Sequence, residues 1–406
     1  MTTSPGFRWV KRIFIGLVIL VVIATVGLWL WAKPARPDAF YRRPESLPAS
    51  PGKLIRAEAY TQSVPPGAIG WRILYSTTDI NDRAIVASAI VVAPQQEAGT
   101  PRAIIAWNHG TTGFAPGCAP SLLNSPQPLG PIPSLETVIR EGWVVVATDY
   151  AGLGTDSPHP YLIGEGEARS SLDAIRAALT FDQLKLENKT VVWGHSQGGG
   201  ATLWTGILAP SYAPELNIVG IAGLAPATDI PALVEKAKDT PVGKIIVSFI
   251  MNAYSQTYPD VRYDEYISGW RATFVKDIGN RCLDGKETLF SVGEVLTVLS
   301  GPVFTSDPLQ GSLATRLREN IPNGPIAAPV LIAQGQTDEL VYPEIQQAFV
   351  DRRCAEGQSI EYQTYKGRDH MAVVAPDSPL QANLLNWTRE RMSGNIASAG
   401  CARQDF

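Results

Sequence analysis

The hydrophobic positions of this chain change rhythm three times, and each rhythm predicts a different kind of element. From Ile13 to Ala32 the residues are uncharged and mostly apolar, behind Arg8, Lys11 and Arg12. That is the length, about 20 residues, at which a helix crosses a bilayer. It exceeds the apolar core of a cleaved signal, about 7–15 residues, and Leu30, Trp31 and Ala32 make a poor cleavage site. The expectation is an uncleaved signal anchor over 13–32, with residues 1–12 cytoplasmic because basic flanks stay inside, and the body outside the cell membrane. Secretion after signal cleavage is the alternative. Residues 33–53, "KPARPDAFYRRPESLPASPGK", are rich in proline and charge and read as a linker or wrapping segment before a body spanning 54–406.

The second rhythm is a pair of apolar runs, "GWRILYSTT" and "AIVASAIVVAP", joined by the polar turn "DINDR". Together they predict an antiparallel hairpin. Asp79, Asn81 and Asp82 suit a turn, and they lack the spacing of a calcium loop. The third rhythm is an alternation. "RAIIAWNHG", "GWVVVATDY", "KTVVWGHS", "NIVGIAGLAPATD" and "APVLIAQGQTDE" are short runs rich in Val, Ile and Ala, with helical stretches such as "SLETVIREG", "EARSSLDAIRAALTF" and "QGGGATLWTGILA" between them. Strands buried on both faces and alternating with helices predict a mostly parallel sheet with right-handed crossovers. "SIEYQTYKG" reads as the last strand, and the helix "PLQANLLNWTRERM" as the closing element.

From about Ile230 to Pro325 the alternation stops, and amphipathic or mixed segments such as "VGKIIVSFIMNAYSQTYP" and "LFSVGEVLTVLSG" take over. An insertion between two sheet strands is read as a helical cap over their carboxyl ends, where open α/β sheets bind ligands. The predicted architecture is α/β: a mostly parallel central sheet flanked by helices, a cap over 230–325 inserted before the penultimate strand, and an N-terminal transmembrane helix.

Composition narrows the function. The 406 residues are 45% hydrophobic, enough for a large core, and the formal net charge of -4 with no basic stripe argues against a nucleic-acid partner. Four cysteines, Cys118, Cys282, Cys354 and Cys401, have no zinc-site spacing; in an exported chain they suggest two disulfides with three possible pairings. No metal or cofactor is implied.

The chemistry concentrates around Gly194-His195-Ser196-Gln197-Gly198, a Gly-x-Ser-x-Gly pentapeptide between a strand and a helix. In that setting the pattern is a nucleophile elbow: the serine sits on a sharp turn, at the positive end of the following helix. A phosphate loop would need a lysine that is absent here. Serine requires a base, and the chain has four histidines. His195 adjoins the serine, and the tight turn directs its ring away. His109, in "WNHGTTG", belongs to an oxyanion-type loop, and His159 precedes the serine in a proline-flanked loop. The chain order Ser, acid, His selects His370. The acid is expected after the penultimate strand, where Asp338 is preferred over Glu339; Asp369, beside the histidine, is read as a loop cap. The oxyanion donors are expected to be the backbone N–H of Gln197 and that of Thr111, with Thr112 as the rival.

With these residues in place the chain resembles the secretory lipase family of α/β-hydrolases. "CAPS" at 118–121, "GHSQGG" at 194–199, "SYAPELNIVG" at 211–220, "TDELVYP" at 337–343 and "DHM" at 369–371 stand where that family has corresponding segments, across residues 40–401. The resemblance implies an α/β-hydrolase fold, a triad of Ser196, Asp338 and His370, and a cap between the sixth and seventh core strands. It also implies the pairings Cys118 with Cys282 and Cys354 with Cys401, and acylglycerol or other ester substrates. The alternatives are a short-chain esterase or an acyltransferase acting on cell-envelope lipids, or a noncatalytic binding protein on a hydrolase fold.

Overall fold

The protein is described by a computed structural model covering residues 5–31, 33–96, 99–123, 132–283, 285–297, 301–395 and 400–406. Helix α1 (Pro5–Trp31) carries the apolar N-terminal run. Between Trp9 and Trp31 it is long and apolar enough to cross a membrane, with a mean hydropathy of 2.9. Ala32, the last residue of the expected span, lies outside the described residues. At its C-terminal end Trp29 Nε1 donates to Asp277 Oδ1 at 3.1 Å.

Among the described residues ten strands form one sheet: β1 (Leu54–Tyr60), β2 (Ala68–Thr78), β3 (Ala84–Pro94), β4 (Arg102–Asn108), β5 (Val144–Thr148), β6 (Leu186–His195), β7 (Ile218–Leu224), β8 (Val330–Gly335), β9 (Ile360–Tyr365) and β10 (Cys401–Asp405). Their order is β1-β2-β3-β5-β4-β6-β7-β8-β9-β10. The predicted hairpin is present, β2 pairing with β3 from Ala68↔Pro94 to Thr78↔Ala84. In its turn the Asp79 carboxylate accepts from the Asn81 and Arg83 amides. From β5 through β10 the neighbours are parallel, as the buried Val- and Ile-rich runs require.

Side-chain alternation builds two cores from one sheet. Along β4, Ile104 and Ala106 enter one core while Ile105 and Trp107 enter the other; along β5, Val144 and Val146 are separated from Val145 and Ala147 in the same way. Helices α3 (Gly164–Leu179), α4 (Gln197–Tyr212) and α11 (Pro343–Ala355) cover the first face. Helices α2 (Leu135–Arg140) and α12 (Leu380–Met392) cover the second. Each fully buried Val, Ile or Leu contributes about 1.5–3 kcal/mol, so a sheet covered on both faces is the main source of stability.

Between β7 and β8 lie α5 (Ile230–Ala237), α6 (Pro241–Thr257), α7 (Tyr263–Tyr266), α8 (Arg271–Gly279), α9 (Gly285–Thr297) and α10 (Gly311–Glu319). They share a third core, which includes Phe249, Tyr254 and Val275 and reaches the body through Tyr161 and Leu162. The disulfide Cys118–Cys282, with a Cα–Cα distance of 5.2 Å, ties the segment after β4 to the end of α8. Cys354–Cys401, at 6.0 Å, ties α11 to β10.

Two strands depart from the sequence reading. "SIEYQTYKG" is not the last strand and α12 does not close the body: β10 adds parallel to β9 at the sheet edge, which makes β8, the strand after the cap, third from the end. Every residue of β10 is exposed, so the apolar alternation that betrays a strand is missing. β1 is the second departure; it pairs antiparallel with β2 at the other edge. Ahead of it, Phe40 and Tyr41 are buried against Leu74 and Val86, so the 33–53 stretch wraps the sheet there.

Candidate active site

The pentapeptide adopts the conformation its glycines allow. β6 runs to His195, α4 starts at Gln197, and between them Ser196 has φ 60 and ψ -120, a conformation that costs a non-glycine residue about 1–3 kcal/mol. A Cβ on Gly194 would lie 2.1 Å from the Gly198 carbonyl oxygen, and one on Gly198 would lie 1.9 Å from that of Asn108. Both positions must therefore be glycine. The turn is pinned to β7 and the segment beyond it: the Ser196 N–H donates to Leu224 O at 2.9 Å, and the Ala227 N–H donates to Ser196 O at 3.0 Å.

His370 and Asp338 converge on this serine from loops after β9 and β8. His370 Nε2 is 2.8 Å from Ser196 Oγ, and its Nδ1 is 2.7 Å from Asp338 Oδ2. A carboxylate only accepts, so the ring proton resides on Nδ1 and Nε2 presents a lone pair to the serine hydroxyl. Asp338 is held in turn: Oδ1 accepts from the Leu340 and Val341 amides, each at 2.8 Å, and Oδ2 from Gln334 Nε2 at 3.1 Å. Asp338 is buried, whereas Glu339 is exposed. Asp369 caps its own loop, accepting from the Met371 and Ala372 amides.

The other histidines are buried. His195 points away from the Ser196 hydroxyl, and its Nε2–H donates to the His370 carbonyl at 2.8 Å. It braces the loop that carries His370, a contact no spacing argument reveals. Burial, and then the neighbouring His370, lower its pKa to about 3. His109 lies at the end of β4 with Nε2 3.2 Å from Asp149 O, and burial lowers its pKa to about 4. His159 Nδ1–H donates to Ala151 O at 3.1 Å; burial, and then His109, lower its pKa to about 3. All three are neutral at physiological pH.

Gln197 begins α4, so its backbone N–H is one of the free donors at the helix's positive end. Its side chain lies among buried polar groups: Nε2 donates to Glu167 Oε1 at 2.7 Å and approaches His159 Nε2 at 3.4 Å. Glu167 also accepts from the Leu162 amide at 3.0 Å. Burial raises its pKa to about 8. Sequence reasoning passed over Glu167 because an acidic residue in the first turn of a helix is ordinary and its burial is decided by tertiary packing. Thr111 and Thr112 both line the cavity over the serine. The Thr111 hydroxyl pairs with Tyr161 OH at 2.8 Å, and the Thr112 carbonyl accepts from the Leu283 amide at 2.8 Å, joining this loop to the cap.

The cavity has a volume of about 270 Å³ and reaches from Ser196 and His370 into the cap. Its far wall is apolar: Ile230, Leu233, Val234 and Ala237 of α5 recur at helical spacing, as do Val242, Ile246 and Ile250 of α6. Among the described residues no three His, Cys, Asp or Glu side chains gather as metal ligands would. The arrangement can therefore activate a serine, hold an anion near a helix N-terminus and shelter an apolar group.

A profile of the Secretory lipase family matches residues 132–400, well over half of the chain. The secreted triacylglycerol lipase LIP4 of Malassezia globosa is 28% identical over 353 residues, covering 82% of this chain and 74% of that protein. A probable inactive lipase of Mycobacterium tuberculosis is 26% identical, covering 88% and 82%. In three dimensions the closed state of Candida antarctica lipase A superposes with a TM-score of 0.76 at 22% identity, covering 91% of this chain and 89% of that one, which establishes a shared fold. This chain belongs to the secretory lipase family.

Proposed function

We propose that the protein is an exported carboxylic-ester hydrolase, a lipase that releases fatty acids from acylglycerols through an acyl-enzyme intermediate. The observation that carries this reading is the continuous hydrogen-bond chain Asp338–His370–Ser196 at the mouth of an apolar cavity. Ser196 Oγ attacks the ester carbonyl while His370 Nε2 takes its proton, and Asp338 stabilises the imidazolium. His370 then returns the proton to the departing alcohol. Water, deprotonated by the same nitrogen, attacks the acyl-serine, releases the carboxylic acid and regenerates the hydroxyl. The amides of Gln197 and Thr111, with Thr112 as the alternative second donor, hold the oxyanion; one such donor contributes about 3 kcal/mol to the transition state. Triacylglycerol substrates are suggested by the names of the Malassezia relatives and by the apolar cap wall.

The test compares wild type and Ser196→Ala on p-nitrophenyl esters from C2 to C16 and on emulsified triacylglycerol. The expected result is a loss of about 10³-fold or more in kcat with the fold unchanged. Equal activity of the two proteins would remove the catalytic assignment. Activity confined to chains of about four carbons or fewer would replace lipase by short-chain esterase, and transfer to added alcohols in preference to water would favour an acyltransferase.

For location we infer export directed by α1, whose length and hydropathy fit a signal. The relatives named as secreted lipases support its removal, and a retained signal anchor is the competing outcome. N-terminal sequencing of the mature protein distinguishes them: a start beyond residue 32 makes α1 a removed signal.

A further inference from the structure

The buried carboxyl behind the elbow has no part in the proton relay. Glu167 stands in the first turn of α3, 1% exposed, and no lysine or arginine pairs with it among the described residues. Arg169, two residues on, turns outward to Asp82 and Glu165. Glu167 is hydrogen-bonded by Gln197 from α4 and by the Leu162 amide before α3, and its charge is felt by Tyr150 and Tyr161 from the segment after β5 and by Tyr254 from α6. His159 joins the group through Gln197. Because His159 Nδ1–H donates to the Ala151 carbonyl, its Nε2 is an acceptor. Both hydrogens of the Gln197 amide are thus directed, one to Glu167 and one to His159.

Resting on the proposed function, we propose that Glu167 is a positioning residue: it clamps the Gln197 side chain and so fixes the first turn of α4, whose leading backbone amide faces the oxyanion. The clamp reaches the chemistry because Gln197 directly follows the nucleophile in the chain. With its pKa raised to about 8 by burial, the carboxyl is mostly protonated at pH 7 and accepts two N–H bonds without setting a full charge behind the site. Its ionisation adds a buried negative charge beside the donors that must hold another, which opposes the tetrahedral intermediate. The neutral form is the active one, so activity is retained below about pH 8 and falls above it.

The test measures kcat and KM from pH 6 to pH 10 on p-nitrophenyl butyrate for wild type, Glu167→Gln, Glu167→Ala and Ser196→Ala. The expected wild-type profile loses kcat with a midpoint near pH 8. Glu167→Ala lowers kcat by about tenfold or more with little change in KM. Glu167→Gln, an uncharged isostere, restores most of that loss and abolishes the alkaline decline. A wild-type alkaline limb surviving in Glu167→Gln, or full kcat in Glu167→Ala, overturns the role of Glu167 while leaving the serine assignment intact. Activity in Ser196→Ala equal to wild type overturns both. Should the Glu167 variants fail to fold, infrared difference spectra of a Glu294→Gln protein supply the second measurement. A protonated carboxyl band that disappears near pH 8 supports the proposal, and its absence overturns it.

Discussion

Ser196 holds a strained backbone conformation because Gly194, Gly198, the end of β4 and the start of α4 meet at van der Waals limits around it. Gly198→Ala forces a Cβ to within 1.9 Å of a backbone oxygen that cannot rotate away. The expected outcome is a loss of about 3 kcal/mol of stability, measurable by urea denaturation, together with a loss of activity well beyond what the stability change explains. Little change in either would mean that the elbow can relax. At this scale the sequence was informative where chemistry restricts the choice. Four histidines and a fixed chain order left His370, and the structure puts it 2.8 Å from Ser196 Oγ. It was silent on His195 as a brace for His370 and on Glu167 as a clamp for Gln197, because both depend on which loops fold over the elbow.

At the scale of elements, α5 and α6 each turn one apolar stripe toward the serine. Ile246, on α6, lines the cavity without forming part of the hydrogen-bonded site. Ile246→Trp is expected to shift the preferred acyl chain from long to short while leaving acetate ester hydrolysis within about twofold of wild type. An unchanged C2-to-C16 profile would place the acyl chain elsewhere. Helical and buried-strand periodicities were legible because each element satisfies them locally. β1 and β10 were not: an edge strand has one neighbour and little burial, and β10 is held by pairing to β9 and by the Cys354–Cys401 bridge across 47 residues.

At the scale of the molecule, the Cys118–Cys282 bridge closes 164 residues and joins the cap to the loop bearing Thr111 and Thr112. Replacing both cysteines by serine is expected to cost about 2–4 kcal/mol of stability and to raise KM for long esters more than for acetate. Thermal denaturation and chain-length kinetics on the same protein check both parts. Stability should also depend on pH above neutrality. Burial raises the pKa of Glu167 from 4.5 to about 8; burial, and then Asp277, raise that of Glu294 to about 8. A raised carboxyl contributes stability that is fully present below its unfolded pKa and is lost as pH rises through the folded one. The buried histidines act oppositely: their contribution is present above pH 6.5 and is lost as pH falls toward 4 and 3. Between pH 6.5 and 8 the carboxyls dominate, so Tm should fall as pH rises, and Glu167→Gln should flatten that slope. A Tm that climbs across this window would contradict the raised pKa of both groups.

By itself the sequence determined the alternation of strand and helix, the apolar N-terminal helix, the elbow and a short list of candidates for nucleophile, base and acid. These follow from period, sterics and chain order, which are local or one-dimensional. Only the tertiary structure decided that Asp338 rather than Glu339 meets His370, that β10 closes the sheet edge, that α5 and α6 wall the cavity, and that Glu167 lies buried behind Gln197. Each of these depends on burial and on contacts between segments far apart in the chain, where desolvation and packing, not propensity, set the outcome.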